Sequence, residues 1–460
     1  MIQFWRRCRV RKVGYVVSAA SRLEWSLTAG SAGLLCCGVV RARRGRERRG
    51  DMVVPTWEVR PGDAPRLVHV SAAARGGGVA ALLDDLVAAQ DADGTSVGWA
   101  VIGGDETFFD FTRYVHHLLH GGADTRTAGR IAGAMPHYRA SLAAQADWLA
   151  AQLEPGDIVV LHDPQTLGMA PVLAGAGLKV VWHCHVGTTA DDASGPSVVW
   201  DTFSAELSCV DTVVTTLPEL APQVVPAARR YVVAAAVDPH SARNRPLAKD
   251  HVAELLAEVG LPADAPVVAQ VVRWEPLDDI PGVLRCVPGF PEDVHLVLAG
   301  YEPRDPGGRA VFEEAIEHLG RLAEPERARV HVVTLTEERG ALTVNALQRR
   351  AEVVLQKNLA EGLGLTLTDA MVKGCAVVAA DVGALRQQVS PGHNGLLVNP
   401  RDTESVVDAV RTLLDDPLLR RRLGKRAVES MNRRYLMARL VADYRLFAAP
   451  ERRGHALDAA

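Results

Sequence analysis

Beyond residue 66, short apolar runs alternate with longer amphipathic stretches, and the period of each run sets the element it predicts. The run L-V-H-V-S at 67–71 is followed by Gly76-Gly77-Gly78 and then by V-A-A-L-L-D-D-L-V-A-A, whose apolar positions recur at helical spacing. Strand, glycine turn and helix in that order open a Rossmann-like unit. Further apolar runs at 97–102, 157–161, 179–183, 212–215 and 230–234 each leave room for a helix or loop between them, which predicts five or six parallel strands. Residues 239–249 lack periodicity and carry two prolines, so they read as a linker. A second series follows, with strands expected at 266–272, 295–299, 330–334, 352–355 and 376–379 and helices at 309–322 and 344–351. A basic amphipathic helix over 417–447 ends the pattern. The expected fold class is α/β. Residues 52–240 and 241–430 form two Rossmann-like parallel-sheet domains facing across a cleft, and 431–460 a C-terminal helix and tail. The natural binding site is that cleft.

Composition narrows the function classes. The 460 residues hold 51 basic and 55 acidic side chains, a formal net charge of −4, with 48% hydrophobic residues. The charge is uneven: residues 1–51 carry twelve basic and three acidic residues, a net of +9, whereas the rest carries 39 against 52, a net of −13. An acidic body repels phosphate backbones, so no nucleic-acid partner is expected. The apolar run at 27–40 is 14 residues long, short of the roughly 20 that a membrane span needs, and the basic block at 41–49 is wrong for a signal-peptide cleavage site. Residues 1–51 are expected to be a disordered or non-native extension, with translation starting at or near Met52. Seven scattered Cys without a C-x-x-C pair argue for a reduced, cytoplasmic protein.

Candidate chemistry is densest at 356–384. A strand ends near Lys357, a loop carries Glu361 and the Gly362-Leu363-Gly364 turn, and a helix starts there. Glycines at such a turn leave backbone N–H groups free to face an anion or a sugar hydroxyl. Glu361 and Asp369 are eight positions apart, about 12 Å along a helix. That is too far for a retaining hydrolase pair and suits two anchors along one extended ligand. His183 and His185 alternate along a strand, and His116 and His120 share a helix face, but neither pair has a third ligand at workable spacing, so no metal is expected.

These residues resemble the E-x7-E region of retaining glycosyltransferases of the two-lobed GT-B fold (the GT4 type), in particular the trehalose synthase subfamily. The resemblance also covers, in order, Gly76-Gly77-Gly78-Val79-Ala80, Phe108-Phe109 with Thr112 and His116, His162-Asp163-Pro164-Gln165, Cys184-His185, Val237-Asp238-Pro239, Asn345-Ala346-Leu347-Gln348-Arg349 and Gln356-Lys357. It implies a nucleotide-diphosphate sugar as donor substrate, a small sugar-like or metabolite acceptor and no further cofactor, with a homodimer left open. It places Arg273 on the donor diphosphate, Glu361 and the backbone of Gly362, Leu363, Gly364 and Leu365 on the transferred sugar, and Asp369 on the nucleotide ribose. His185 would lie beside the transferred sugar, and Gly76, Gly77 and Gly78 near diphosphate and acceptor. The diphosphate itself would serve as base, so no protein nucleophile is implied.

Two departures bear on function. Where the family reads R-F-D-P-W-K-D, this chain has Arg273-Trp274-Glu275-Pro276-Leu277-Asp278-Asp279, so Asp278 replaces a phosphate-binding lysine. The charge at the diphosphate would be reversed unless Asp278 turns away and Lys357, Arg386 or Arg75 substitutes. The family's R-C-H-I-D appears as His183-Cys184-His185-Val186-Gly187. Alternatives to a trehalose-forming enzyme are therefore transfer to a different acceptor, as in glycosylation of a specialised metabolite, and a degenerate protein that binds sugar or nucleotide without transfer.

Overall fold

The computed structural model describes residues 65–75, 77–121, 126–187, 195–262, 264–303 and 306–448, together with two short strands, Val10–Lys12 (β1) and Gly38–Val40 (β2). The rest of the N-terminal extension and the last twelve residues lie outside the described residues. The first lobe is built on Leu67–Ser71 (β3), Val97–Val101 (β4), Ile158–His162 (β5), Lys179–Cys184 (β6), Thr212–Thr215 (β7) and Arg230–Val232 (β8), in the order β4-β3-β5-β6-β7-β8. The second uses Val267–Val272 (β9), His295–Tyr301 (β10), Val330–Leu335 (β11), Val353–Gln356 (β12), Val377–Ala380 (β13) and Leu396–Val398 (β14), in the order β11-β10-β9-β12-β13-β14. These twelve strands pair in parallel throughout. β1 adds a parallel edge beside β11 and β2 an antiparallel edge beside β4.

Parallel sheets of this kind are covered by helices on both faces, which is why their strands read as near-continuous apolar runs. β3, β5 and β13 are buried at every position. In the first lobe one core joins Val68, Val70, Val159 and Leu161 to Tyr138, Leu142 and Trp182, and the core on the other face joins Leu67, Val160 and Val181 to Leu83 and Leu86. Each such aliphatic side chain contributes about 1.5–3 kcal/mol on full burial. β14 is a strand that the sequence reading lacked. Its three residues are too short to show a period.

The C-terminal region differs from the single helix expected over 417–447. It forms two helices, Pro417–Arg434 and Met437–Ala448, broken at Tyr435 and Leu436. The break has a partner: Val237 N–H donates to Tyr435 O (2.7 Å) and Met437 N–H donates to Val237 O (3.0 Å). Pairing with the first crossover between the lobes pulls this backbone out of its helix. Tyr435 packs with Leu367 and Val377 of the second lobe, whereas Met437, Leu440, Val441, Tyr444 and Phe447 return to the core of the first lobe beside Leu67 and Val181. Two chain segments thus cross side by side between the lobes. Among the described residues no helix is long and apolar enough to cross a membrane.

Candidate active site

In an open parallel sheet the strand order reverses direction at one point, and the loops leaving the strands there diverge to leave a crevice. In the second lobe that point lies between β9 and β12. Arg273 follows β9 directly, and Glu361 lies on the loop after β12. The Arg273 guanidinium sits 3.2 Å from the Glu361 carboxylate, 3.5 Å from Glu275 and 3.9 Å from Asp278. These carboxylates, Glu361 foremost, hold it charged beyond its already high range.

Asp278 turns away from the cleft. It is buried, and its carboxylate accepts the N–H of Arg273 (2.7 Å) and Glu275 (3.3 Å) and the Asn358 amide (3.1 Å). The charge reversal at a diphosphate that the sequence raised therefore does not arise from this side chain. Burial pushes its carboxyl up to about 6, with Arg273 pulling the other way. None of the suggested substitutes faces the cleft: Lys357 is buried against Asp279, Arg386 is paired with Asp381, and Arg75 reaches Glu337. Among the described residues the arginines lining the cleft are Arg273 and Arg113.

Glu361 shapes its own loop. One oxygen accepts the N–H groups of Leu363 (3.1 Å) and Gly364 (3.2 Å), and the other meets Arg273 and the Asn358 amide (3.4 Å). Gly364, at φ 72°, makes the left-handed turn that starts the helix Leu365–Val372. Gly362 is required for a different reason: a Cβ there would stand 2.0 Å from the carbonyl oxygen of His185. The loop is thereby pressed backbone to backbone against the first lobe, where the Thr216 hydroxyl also donates to Gly362 O.

The first lobe supplies the opposite wall. Gly77 (φ 97°) and Gly78 start the helix Gly78–Ala92, and a Cβ on Gly78 would come within 3.1 Å of the Leu363 side chain. Gly76 lies outside the described residues. His116 and the capping His120 come from the helix Glu106–Leu119, and Asp163 (φ 61°) with Gln165 from the short helix Asp163–Leu167 that follows β5. Burial holds His116, His120 and His185 neutral, each pushed down to about 3. Three buried atoms on this wall, His120 Nδ1, Gln165 Oε1 and His185 Nδ1, have no hydrogen-bond partner among the described residues.

The cleft of about 420 Å³ thus brings together Gly77, Gly78, His185, Arg273, Glu361, Gly362 and Leu363. Gly364, Leu365 and Asp369 do not line it. Asp369 is buried on the helix Leu365–Val372, accepting the Asn244 amide (2.8 Å) and lying 3.4 Å from Arg243. Arg243 also binds Asp85 of the first lobe (2.6 Å), so the segment read as a linker ties both lobes together. Nothing in its composition signalled that. The sequence also missed a third histidine beside His183 and His185. Strand register puts His162 directly opposite His183, a neighbour that spacing along one chain cannot show.

Comparison with known proteins agrees with this two-lobed fold. The family model described as "Trehalose synthase, N-terminal domain" matches residues 69–222, and that of "Glycosyl transferases group 1" matches 252–430. A trehalose synthase of Rubrobacter xylanophilus is 32% identical over 390 residues, covering 83% of this chain and 90% of that protein. The one from Pyrococcus horikoshii is 28% identical over 82% of this chain and 88% of its own length. A trehalose phosphorylase of Pleurotus pulmonarius is 24% identical, over 77% of this chain and 53% of that protein. Among solved structures, the trehalose-6-phosphate synthase OtsA shares the fold at a TM-score of 0.67 and 16% identity, over 84% of this chain and 99% of that one.

Proposed function

This chain belongs to the GT-B glycosyltransferases of the trehalose synthase type, and from that premise we propose that it is a retaining enzyme which moves a sugar from a nucleotide-diphosphate donor to a small sugar-like acceptor. One observation carries the reading: the Arg273–Glu361 pair of one lobe faces three unpartnered buried polar atoms of the other across a single cleft. Buried polar groups are nearly always satisfied, so atoms left open in a cleft mark the places of ligand hydroxyls.

The geometry supports the following roles. Arg273 is held charged and preorganised, and the donor diphosphate takes it over from Glu361 as charge builds on the leaving oxygen. Glu361 keeps one oxygen on the Leu363 and Gly364 amides and turns the freed one to a hydroxyl of the transferred sugar. His185, His120 and Gln165 then orient donor and acceptor from the first lobe, and the close-packed loops exclude water, which limits hydrolysis. The acceptor hydroxyl attacks from the face that the diphosphate leaves, and its proton passes to that diphosphate.

The test is a thermal-shift and turnover panel of ADP-, GDP-, UDP- and dTDP-glucose with glucose and other small acceptors. A melting-temperature rise with one donor and its turnover with an acceptor are expected. Turnover with glucose 1-phosphate in place of every nucleotide sugar would overturn the donor, and binding without any turnover would overturn the enzyme reading.

A further inference from the structure

We propose that His162, His183 and His185 form a three-imidazole site for a divalent transition-metal ion of the zinc class, set in the floor of the first lobe under the cleft. Their candidate ligand nitrogens all lie within 4.8 Å of one another, and all three side chains are buried. His162 ends β5, His183 is its register partner on β6, and His185 is two positions further on the same face. Two nitrogens on one tetrahedral ion at 2.0–2.1 Å are about 3.3 Å apart. His162 Nδ1 and His185 Nε2 are already 2.9 Å apart, so only His183 has any distance to close.

The hydrogen bonds assign the protons. Gln90 Oε1 can only accept, so His69 Nε2 (2.9 Å away) carries hydrogen and His69 Nδ1 is bare. His162 Nε2, 2.9 Å from His69 Nδ1, must then be the donor, which leaves His162 Nδ1 as a lone pair turned toward His185. His183 Nδ1 is held by the Tyr444 hydroxyl (2.5 Å), and among the described residues His183 Nε2 has no partner. His185 Nδ1 has none either. His162 presents an inward lone pair with its outer N–H held by His69, and His183 presents an unpartnered Nε2 with its Nδ1 held by Tyr444, which for these two rings is the pattern of metal-ligating imidazoles and their supporting bonds; His185 Nε2 carries the hydrogen that bonds His162 Nδ1. On binding, the His185 proton shifts from Nε2 to Nδ1 and three neutral nitrogens donate to the ion, with no net proton released. His162 and His185 line the cleft, which provides both the entry path and an open fourth position for a water or a ligand hydroxyl.

The proposal does not rest on the transfer reaction, and its test needs no turnover. The full chain, stripped with a chelator, is titrated with Co2+ and followed by the intense visible d–d absorption of four-coordinate cobalt, then back-titrated with Zn2+. One ion per chain with that absorption, bleached by Zn2+, is expected. His183→Phe and His162→Gln should each weaken Co2+ binding by about 100-fold or more, and Tyr444→Phe by about 10–100-fold. His295→Gln should leave it unchanged, since the His295–His331 pair lies in the other lobe. Circular dichroism checks that each variant is folded. Absence of the four-coordinate spectrum in the unaltered chain, or binding that survives His183→Phe, overturns the proposal. Neither result depends on how the transfer panel turns out.

Discussion

Glu361 does two jobs with one carboxylate, and substitutions can separate them. One oxygen satisfies two backbone amides of its own loop while the other neutralises Arg273. Glu361→Gln keeps an acceptor but removes the charge. It should lower turnover by roughly 10²–10³-fold, the scale of losing one preorganised transition-state contact. Affinity for the free nucleoside diphosphate should hold or rise, because Arg273 loses its competing anion. Steady-state kinetics beside calorimetric binding decide this, and equal losses in both would mean that Glu361 holds the phosphate or the fold. At Asp278 the folded-state pKa, about 6, lies above the ordinary 3.8. A carboxyl shifted in that direction favours the folded state while protonated and loses that contribution as pH rises from about 4 through 6. Denaturant unfolding of wild type against Asp278→Asn should therefore show wild type losing relative stability across that window. Asp278→Lys should destabilise the chain rather than tighten phosphate binding, because the new ammonium would face the N–H groups of Arg273 and Glu275.

At the scale of elements, the loop after β12 is fixed by backbone contact between the lobes. Gly362→Ala puts a methyl 2.0 Å from His185 O and 3.0 Å from Val186 Cα, and neither backbone atom can step aside cheaply. Overpacking of this kind costs about 1–3 kcal/mol. The loop should shift away from the first lobe, with a lower melting temperature and a larger loss of kcat than of donor affinity. Most of this element pattern was legible in the chain. The apolar runs located eleven strands because buried parallel strands are apolar on both faces, and the glycines and Glu361 marked the loop because turn chemistry is local. What stayed hidden depends on neighbours remote in sequence. His162 meets His183 only through register, Asp278 turns inward only because its loop closes on it, and the break at Tyr435 exists only because Val237 lies alongside.

For the whole molecule, the relation between the lobes rests partly on Arg243. It bridges Asp85 of the first lobe and Asp369 of the second, and burial pushes Asp85 up to about 7 even with that arginine beside it. Arg243→Ala strands two buried carboxylates, and breaking a buried pair of this sort costs about 3–5 kcal/mol. The Asp85 carboxyl would be pushed up further without that guanidinium, so the loss should grow as pH rises above about 4. Unfolding midpoints measured at acid and neutral pH check this, and a loss that is the same at both would contradict it. The claim that joins all three scales is that the two walls of the cleft meet across one donor and one acceptor. It is tested most directly by following the chain with an α-linked nucleotide-diphosphate glucose and free glucose by proton NMR, reading the anomeric signal of the first product before any equilibration. A product that appears with the α configuration at the transferred carbon, together with free nucleoside diphosphate, is the expected result. A β product, or release of glucose with no new glycosidic bond, would contradict it.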